Sequence, residues 1–226
     1  IRPHSATFEA EGGYPAELVE RIAQLGLMGM TAPEDIGGAG ADYVSYALAL
    51  MEIAAADGAL STILSIQNSL IVSALLKDGT AEQRARFLPD LLSGRAIGAF
   101  ALTEADAGSD ASAIRTRAEK VPGGYRLNGA KQFITSGKIA RLAIVYAVTD
   151  AAAGKRGISA FLVPTDRPGY SVDKVEHKLG QGASDTCAIR FENLFLEDDL
   201  RLGAEGAGYG IALSNLEAGR IGIAAQ

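Results

Sequence analysis

What this sequence lacks narrows its reading before any motif is weighed. A single cysteine in 226 residues, Cys187, excludes an internal disulfide framework. Two histidines, His4 and His177, leave no material for a histidine-rich metal cluster. Basic residues are in deficit, 21 Lys and Arg against 27 Asp and Glu for a formal net charge of -6. A phosphate backbone finds little to hold it on such a chain, so nucleic acid is disfavoured as a partner. No Gly-x-Gly-x-x-Gly occurs, which removes support for a Rossmann nucleotide fold. No run reads as long and apolar enough to cross a membrane, and no charged segment followed by an apolar one opens the chain as a secretory leader would. The first residue is Ile1 rather than Met, which is read as an N-terminus lost or cleaved.

What is present is ordinary globular material, 48% hydrophobic and 21% charged, enough to bury a core in more than one structural unit. Residues 1–96 read as helices. Pro15 suits a first helical position, with Leu18, Ile22 and Leu25 on one face opposite Glu17, Glu20, Arg21 and Gln24. Asp42 is placed to cap a second helix reaching Asp57-Gly58. Residues 60–78 are apolar around most of a helical circumference, as in a helix buried within a bundle. Thr80 and Gln83 have capping-box spacing, and Pro89 with Ser93-Gly94 is expected to end the helix they open.

From Ile97 the period changes to two. Arg115–Val121 and Tyr125–Thr135 read as a hairpin around Pro122-Gly123-Gly124, and Leu142–Val148, Gly157–Val163, Tyr170–Val175 and Thr186–Phe191 make a unit of six strands or nearly so. A helical period returns with Ile211, Leu213, Leu216 and Ile221 and is cut in mid-pattern at Gln226. The expected class is therefore α+β: an N-terminal helical bundle (1–96), a middle antiparallel, barrel-like β domain (97–204), and the first helix (205–226) of a truncated C-terminal helical domain.

Two stretches carry chemistry. Phe100-Ala101-Leu102-Thr103-Glu104-Ala105-Asp106-Ala107-Gly108-Ser109-Asp110 is an apolar strand running into a small-residue turn. Such a turn lets N–H groups and short hydroxyls approach a flat or anionic ligand, with Thr103 and Ser109 as candidate donors. Lys131-Gln132-Phe133-Ile134-Thr135-Ser136-Gly137 ends a strand with an aromatic ring, a β-branched residue and a hydroxyl, a ring to lie on a cofactor and a polar contact to its edge. Taken singly, the hydroxyls could satisfy a turn and Phe133 could be core. Glu104 reads as a structural carboxylate rather than a base, and Cys187 as a small buried hydrophobe.

Together the two stretches resemble the flavin-binding signature of the acyl-CoA dehydrogenases. The pattern Thr-Glu-x-x-x-Gly-Ser-Asp is met by Thr103, Glu104, Gly108, Ser109 and Asp110, and Gly-x-Lys-x-(aromatic)-Ile-Thr-x-Gly by Gly129, Lys131, Phe133, Ile134, Thr135 and Gly137. Ser184-Asp185-Thr186, Glu205-Gly206-Ala207-Gly208-Tyr209 and Glu217-Ala218-Gly219-Arg220 are similar to the family's later markers. Leu64–Leu70 and Glu217–Gln226 resemble the short-chain members most. Ala105 stands where Pro is common and Phe133 where Trp is commoner.

The resemblance implies FAD bound by Phe100, Leu102, Thr103, Ser109, Phe133, Ile134 and Thr135. The main chain near Leu102 and the Thr103 hydroxyl would meet the pyrimidine side, Phe133 would stack on the ring system, and Thr135 would lie near the reactive nitrogen. Acyl-CoA would meet Ser109, Glu217 and Arg220. The implied reaction is α,β-dehydrogenation of a short acyl-CoA, with electrons passed to an electron-transferring flavoprotein. A homotetramer in the cytoplasm or the mitochondrial matrix is implied with it. The carboxylate base is expected in a C-terminal part, because the alternative family position just before the Arg is Gly219. An acyl-CoA oxidase or flavin monooxygenase of the same fold, and a non-catalytic acyl-CoA or flavin-binding module, remain alternatives.

Overall fold

A computed structural model describes all 226 residues. The helical part contains α1 (Ser5–Glu11), α2 (Ala16–Gln24) and α3 (Tyr43–Ala54). A continuous rod follows, made of α4 (Gly58–Ile66), a π-helical turn (Gln67–Val72) and α5 (Ser73–Asp78), and then α6 (Ala81–Leu92). Capping fixes where several of these begin. The Ser45 N–H donates to Asp42 Oδ1 at 2.7 Å, and Thr80 and Gln83 form the expected capping box. Asp57 caps α4 by accepting the Leu60 N–H at 3.0 Å, and it also receives the Ser5 and Tyr14 hydroxyls at 2.9 and 2.7 Å. One carboxylate thus ties the N-terminal segment to the rod.

Several expectations require correction. Pro15 is the N-cap of α2 rather than its first residue. Leu25 is not on the buried face: the helix ends before it, Gly26 turns the chain at φ 77°, and the Leu25 side chain is 73% exposed. The second helix stops at Ala54 because the Ala56 and Asp57 N–H groups both fold back onto the Ile53 carbonyl. Pro89 does not end its helix but lies inside α6, where its missing N–H costs the Ala85 carbonyl its helical donor. The rod Gly58–Asp78 is, by length and composition, apolar enough to cross a membrane, contrary to the sequence reading. Its apolarity is that of a core helix, with 72% of the window buried inside the molecule. Polar residues of the π turn are buried too, and each is satisfied. Gln67 bonds the Leu91 and Ala96 carbonyls and the Gly98 N–H, and Asn68 bonds the Leu27 and Leu64 carbonyls and the Met30 N–H.

The sheet has eight strands rather than six: β1 (Gly98–Ala101), β2 (Arg117–Val121), β3 (Gly124–Thr135), β4 (Leu142–Val148), β5 (Ile158–Pro164), β6 (Tyr170–Val175), β7 (Thr186–Glu197) and β8 (Arg201–Leu202). Their order is β6-β7-β3-β2-β4-β5-β8, and β1 pairs with β4. Most pairings are antiparallel, but β1 and β2 both meet β4 in parallel. The first covers Leu142 to Val145, and the second touches Val148 alone. The chain therefore leaves one edge of β4 after Ala101 and returns to it at Arg117. Residues 102–116, which hold the first motif, are the excursion between. The two-residue β8 was missed because so short a strand has no measurable alternation.

One hydrophobic cluster of 40 buried residues joins the sheet to the helices, with Ile71, Val72 and Leu75 of the rod packed among Ala99, Tyr146 and Phe161. The last helix, α7 (Gly208–Ala225), lies against α3, α4 and the π turn, burying Ile211, Ala212, Asn215, Ala218, Gly219 and Gly222. Its Leu213, Ile221 and Ile223 are exposed, as are Val44, Leu48 and Met51 of α3.

Candidate functional site

The two motifs, nearly thirty residues apart in sequence, are joined by direct bonds. The Gln132 N–H donates to the Thr103 carbonyl at 2.9 Å, and the Lys131 ammonium donates to the Leu102 carbonyl at 3.0 Å and to Glu104 Oε1 at 2.7 Å. Glu104 also accepts the Arg115 N–H at 2.6 Å and the Thr116 N–H at 3.0 Å. These bonds fold residues 102–116 back onto β3.

Glu104 is thus a structural carboxylate, with its oxygens committed to three donors. Burial alone would raise its pKa, but the Lys131 charge and the surrounding donors outweigh burial and hold it below the usual carboxylate range. Burial pushes the Lys131 amine down to about 8, against the pull of Glu104. Lys131 was quoted in the motif but given no role. The signal was its parity: along β3, Tyr125, Leu127 and Lys131 share the inward face, and a lysine there requires a carboxylate.

Phe133 stands out in this site. The register between β3 and β7 shifts between Lys131 and Ile134, and within this bulge Phe133 has φ 58°. A left-handed conformation is costly for a residue with a side chain, and here it turns the ring outward, 59% exposed. Backbone strain spent on exposing a large apolar ring has no use in a core. Beside it, the Thr103 N–H donates to no other backbone group. Thr103 and Thr135 are half-buried and Ser109 is exposed. Ile134 and Leu102 are buried, so they can offer a ligand only their main chain, and the Leu102 carbonyl is already taken by Lys131. Phe100 is partly buried with its ring 5.1 Å from that of Tyr146, which makes it a support of the shelf. Asp110 closes the motif turn by accepting the Ser112 N–H at 3.0 Å.

Of the acyl-CoA candidates, Ser109 lies in the first motif's turn and Glu217 and Arg220 lie on α7. Glu217 and Arg220 are exposed, and no bond joins them to the two motifs. Gly219 faces the π turn so closely that a Cβ would sit 3.2 Å from Leu70 Cδ2 and 3.4 Å from Ser69 Oγ. Cys187 is fully buried, and burial with the neighbouring Asp185 pushes its thiol up to about 12, leaving it inert. His177 is exposed in the loop after β6. A surface cleft of 620 Å³ lies elsewhere, lined by Arg117, Glu119, Arg126, Asn128 and Thr149.

An outward aromatic ring, a free amide donor on the stretch bonded to the same strand and three hydroxyls within the motifs make a shelf for a flat, hydrogen-bonding ring system, carried on a helix-and-sheet scaffold. The family models of the acyl-CoA dehydrogenase N-terminal domain and middle domain match residues 1–95 and 99–194. The chain belongs to the acyl-CoA dehydrogenase family. It is 45% identical over 226 residues to an acyl-CoA dehydrogenase of Bacillus subtilis, covering 100% of this chain and 60% of that protein. It is similar to the solved structure of butyryl-CoA dehydrogenase from Megasphaera elsdenii, with a TM-score of 0.95 and 38% identity over 100% of this chain and 60% of that one. A glutaryl-CoA dehydrogenase from Mycobacterium smegmatis in complex with FADH2 gives a TM-score of 0.91 at 38% identity, over 100% of this chain and 56% of that one. The chain thus spans 60% or less of the length of these relatives.

Proposed function

We propose that the protein containing this chain is a FAD-dependent acyl-CoA dehydrogenase, oxidising a short acyl thioester between its α and β carbons. The observation that carries the reading is Phe133, an aromatic ring held outward by a strained backbone, one residue after the Gln132 whose N–H bonds Thr103. A flavin fits these residues: Phe133 would stack on it, and Thr103 and Thr135 would supply its polar contacts. When bound, it would supply a hydride acceptor for the substrate β-carbon, and a carboxylate would take the α-proton.

Ser109, at the exposed end of the first motif, is assigned to both cofactor and thioester, and Arg220 with Glu217 to the mouth of the acyl-CoA site. The base itself is assigned to a C-terminal part of the protein, since position 219 is a glycine packed against Leu70. Three units follow from this reading, 1–96, 97–204 and 205–226, the last continuing into helices that cover Leu213, Ile221 and Ile223. Short-chain preference is supported by the similarity to a butyryl-CoA dehydrogenase. An electron-transferring flavoprotein as acceptor, a homotetramer, and a cytoplasmic or mitochondrial-matrix setting belong to the same proposal.

The test is the intact protein. It is expected to be yellow, to release FAD on denaturation, and to lose its flavin absorbance when butyryl-CoA is added without oxygen. A colourless protein that takes up no FAD on titration overturns the reading. Bleaching by a long acyl-CoA and not by butyryl-CoA overturns the short-chain part alone.

A further inference from the structure

The Lys131 side chain has no exposed surface, and its Glu104 partner is 10% exposed. A buried pair of this kind adds little to stability compared with apolar side chains of equal volume, because desolvation consumes most of the attraction. Packing alone would be served as well by a methionine at position 131. What a lysine adds is a positive charge 3.0 Å from the Leu102 carbonyl oxygen. That carbonyl belongs to the same peptide unit as the Thr103 N–H, the donor that bonds no other backbone group. A cation on the oxygen of an amide draws electron density through the unit and makes its N–H a stronger donor. Glu104 keeps the ammonium aimed, and through Arg115 and Thr116 it anchors the far end of the same excursion.

We propose that Lys131 is a positioning residue for the flavin: its ammonium polarises the Leu102–Thr103 peptide so that the Thr103 N–H holds the pyrimidine edge more tightly and favours the negative charge that edge gains on reduction. The proposal rests on the flavin reading above. Lys131 touches neither cofactor nor substrate and acts through one peptide bond. Glu104 is the charged group that faces it, while Arg115 and Asp106 of the same excursion pair with each other at the surface, 3.4 Å apart.

The test strips the intact protein of flavin and titrates it with FAD. Wild-type uptake that Phe133→Ala weakens establishes the site, and failure of that control overturns the flavin reading and this proposal together. The charge-neutral double variant Lys131→Met/Glu104→Gln is then compared with wild type. FAD affinity is expected to fall about ten- to hundredfold, as for loss of a charge-assisted bond. The midpoint potential of the bound flavin is expected to drop, while the flavin-free protein melts close to wild type. Wild-type affinity and potential in a folded double variant overturn the proposal and leave the pair a purely structural one. A second measurement needs no variant to fold: wild-type FAD affinity is expected to decline as the pH is raised through about 8, where Lys131 gives up its proton. A profile flat through that range also overturns the proposal.

Discussion

Replacing Phe133 with glycine separates stability from cofactor binding, and both magnitudes follow from the structure. A phenylalanine offers roughly 200 Å² of surface, of which 59% is open here, leaving about 120 Å² for a stacked ring to cover. At about 25 cal/mol per Å², covering half to all of it is worth about 1.5 to 3 kcal/mol, or about ten- to hundredfold in affinity. The φ of 58° at this position costs a residue with a Cβ about 1 to 2 kcal/mol, which glycine does not incur. Glycine gives back about 0.5 to 1 kcal/mol through the greater freedom of its unfolded chain. Glycine also gives up the roughly 80 Å² of the ring already covered, worth up to about 2 kcal/mol at the same coefficient, so the flavin-free Phe133→Gly protein is expected to stay within about 2 kcal/mol of wild type, while binding FAD about ten- to hundredfold more weakly. Urea unfolding of the flavin-free proteins and fluorescence titration with FAD read the two effects separately. A stability loss beyond about 3 kcal/mol would show the ring to be core, and unchanged FAD affinity would remove it from the cofactor site.

Three further outcomes are expected. Glu104 has a carboxyl held below its unfolded pKa, so it contributes stability above about pH 4.3 that is lost as the pH falls through its folded value; Glu104→Gln should flatten the acid limb of melting temperature against pH, and identical acid limbs would contradict the network drawn here. Thr80→Ala removes one half of the capping box at α6 and should cost about 1 kcal/mol in urea unfolding, with no loss showing the cap to be idle. Gly222→Ala decides between two signs: helix propensity favours alanine by about 1 kcal/mol, but the new Cβ would stand 2.3 Å from Ser65 Oγ and 2.5 Å from Tyr46 OH. We expect destabilisation and earlier proteolysis within α7, and a more stable variant would show that α7 is not seated as described.

How much of this was legible in the sequence depended on whether a residue's role was local. Capping at Asp42 and at Thr80 with Gln83 is set within one turn of chain, and the structure keeps it. Alternation over five or more residues located β2, β3, β4, β5 and β6, whereas the two residues of β8 carried no period to read. Where a turn signal competed with tertiary packing, the local reading failed. Pro89 continues inside α6, and Gly58 to Asp78 runs through a π turn whose buried Gln67 and Asn68 are satisfied by segments distant in sequence.

The candidate site divides in the same way. Two motifs single out Thr103 and Phe133 in the sequence, but what brings their stretches together could not be read there, because the Gln132-to-Thr103 and Lys131-to-Leu102 bonds cross from the excursion to β3. The pattern of inward residues on β3 required a carboxylate for Lys131 without saying which one. Glu104 meets that requirement because β1 and β2 share one edge of β4, and this brings the intervening loop down beside Lys131. A shelf that exposes a strained phenylalanine is therefore held from below by a buried ion pair. The strain at Phe133 persists because the residues on either side of it are fixed, Lys131 by Leu102 and Glu104, and Ile134 by its burial and its pairing with Cys187.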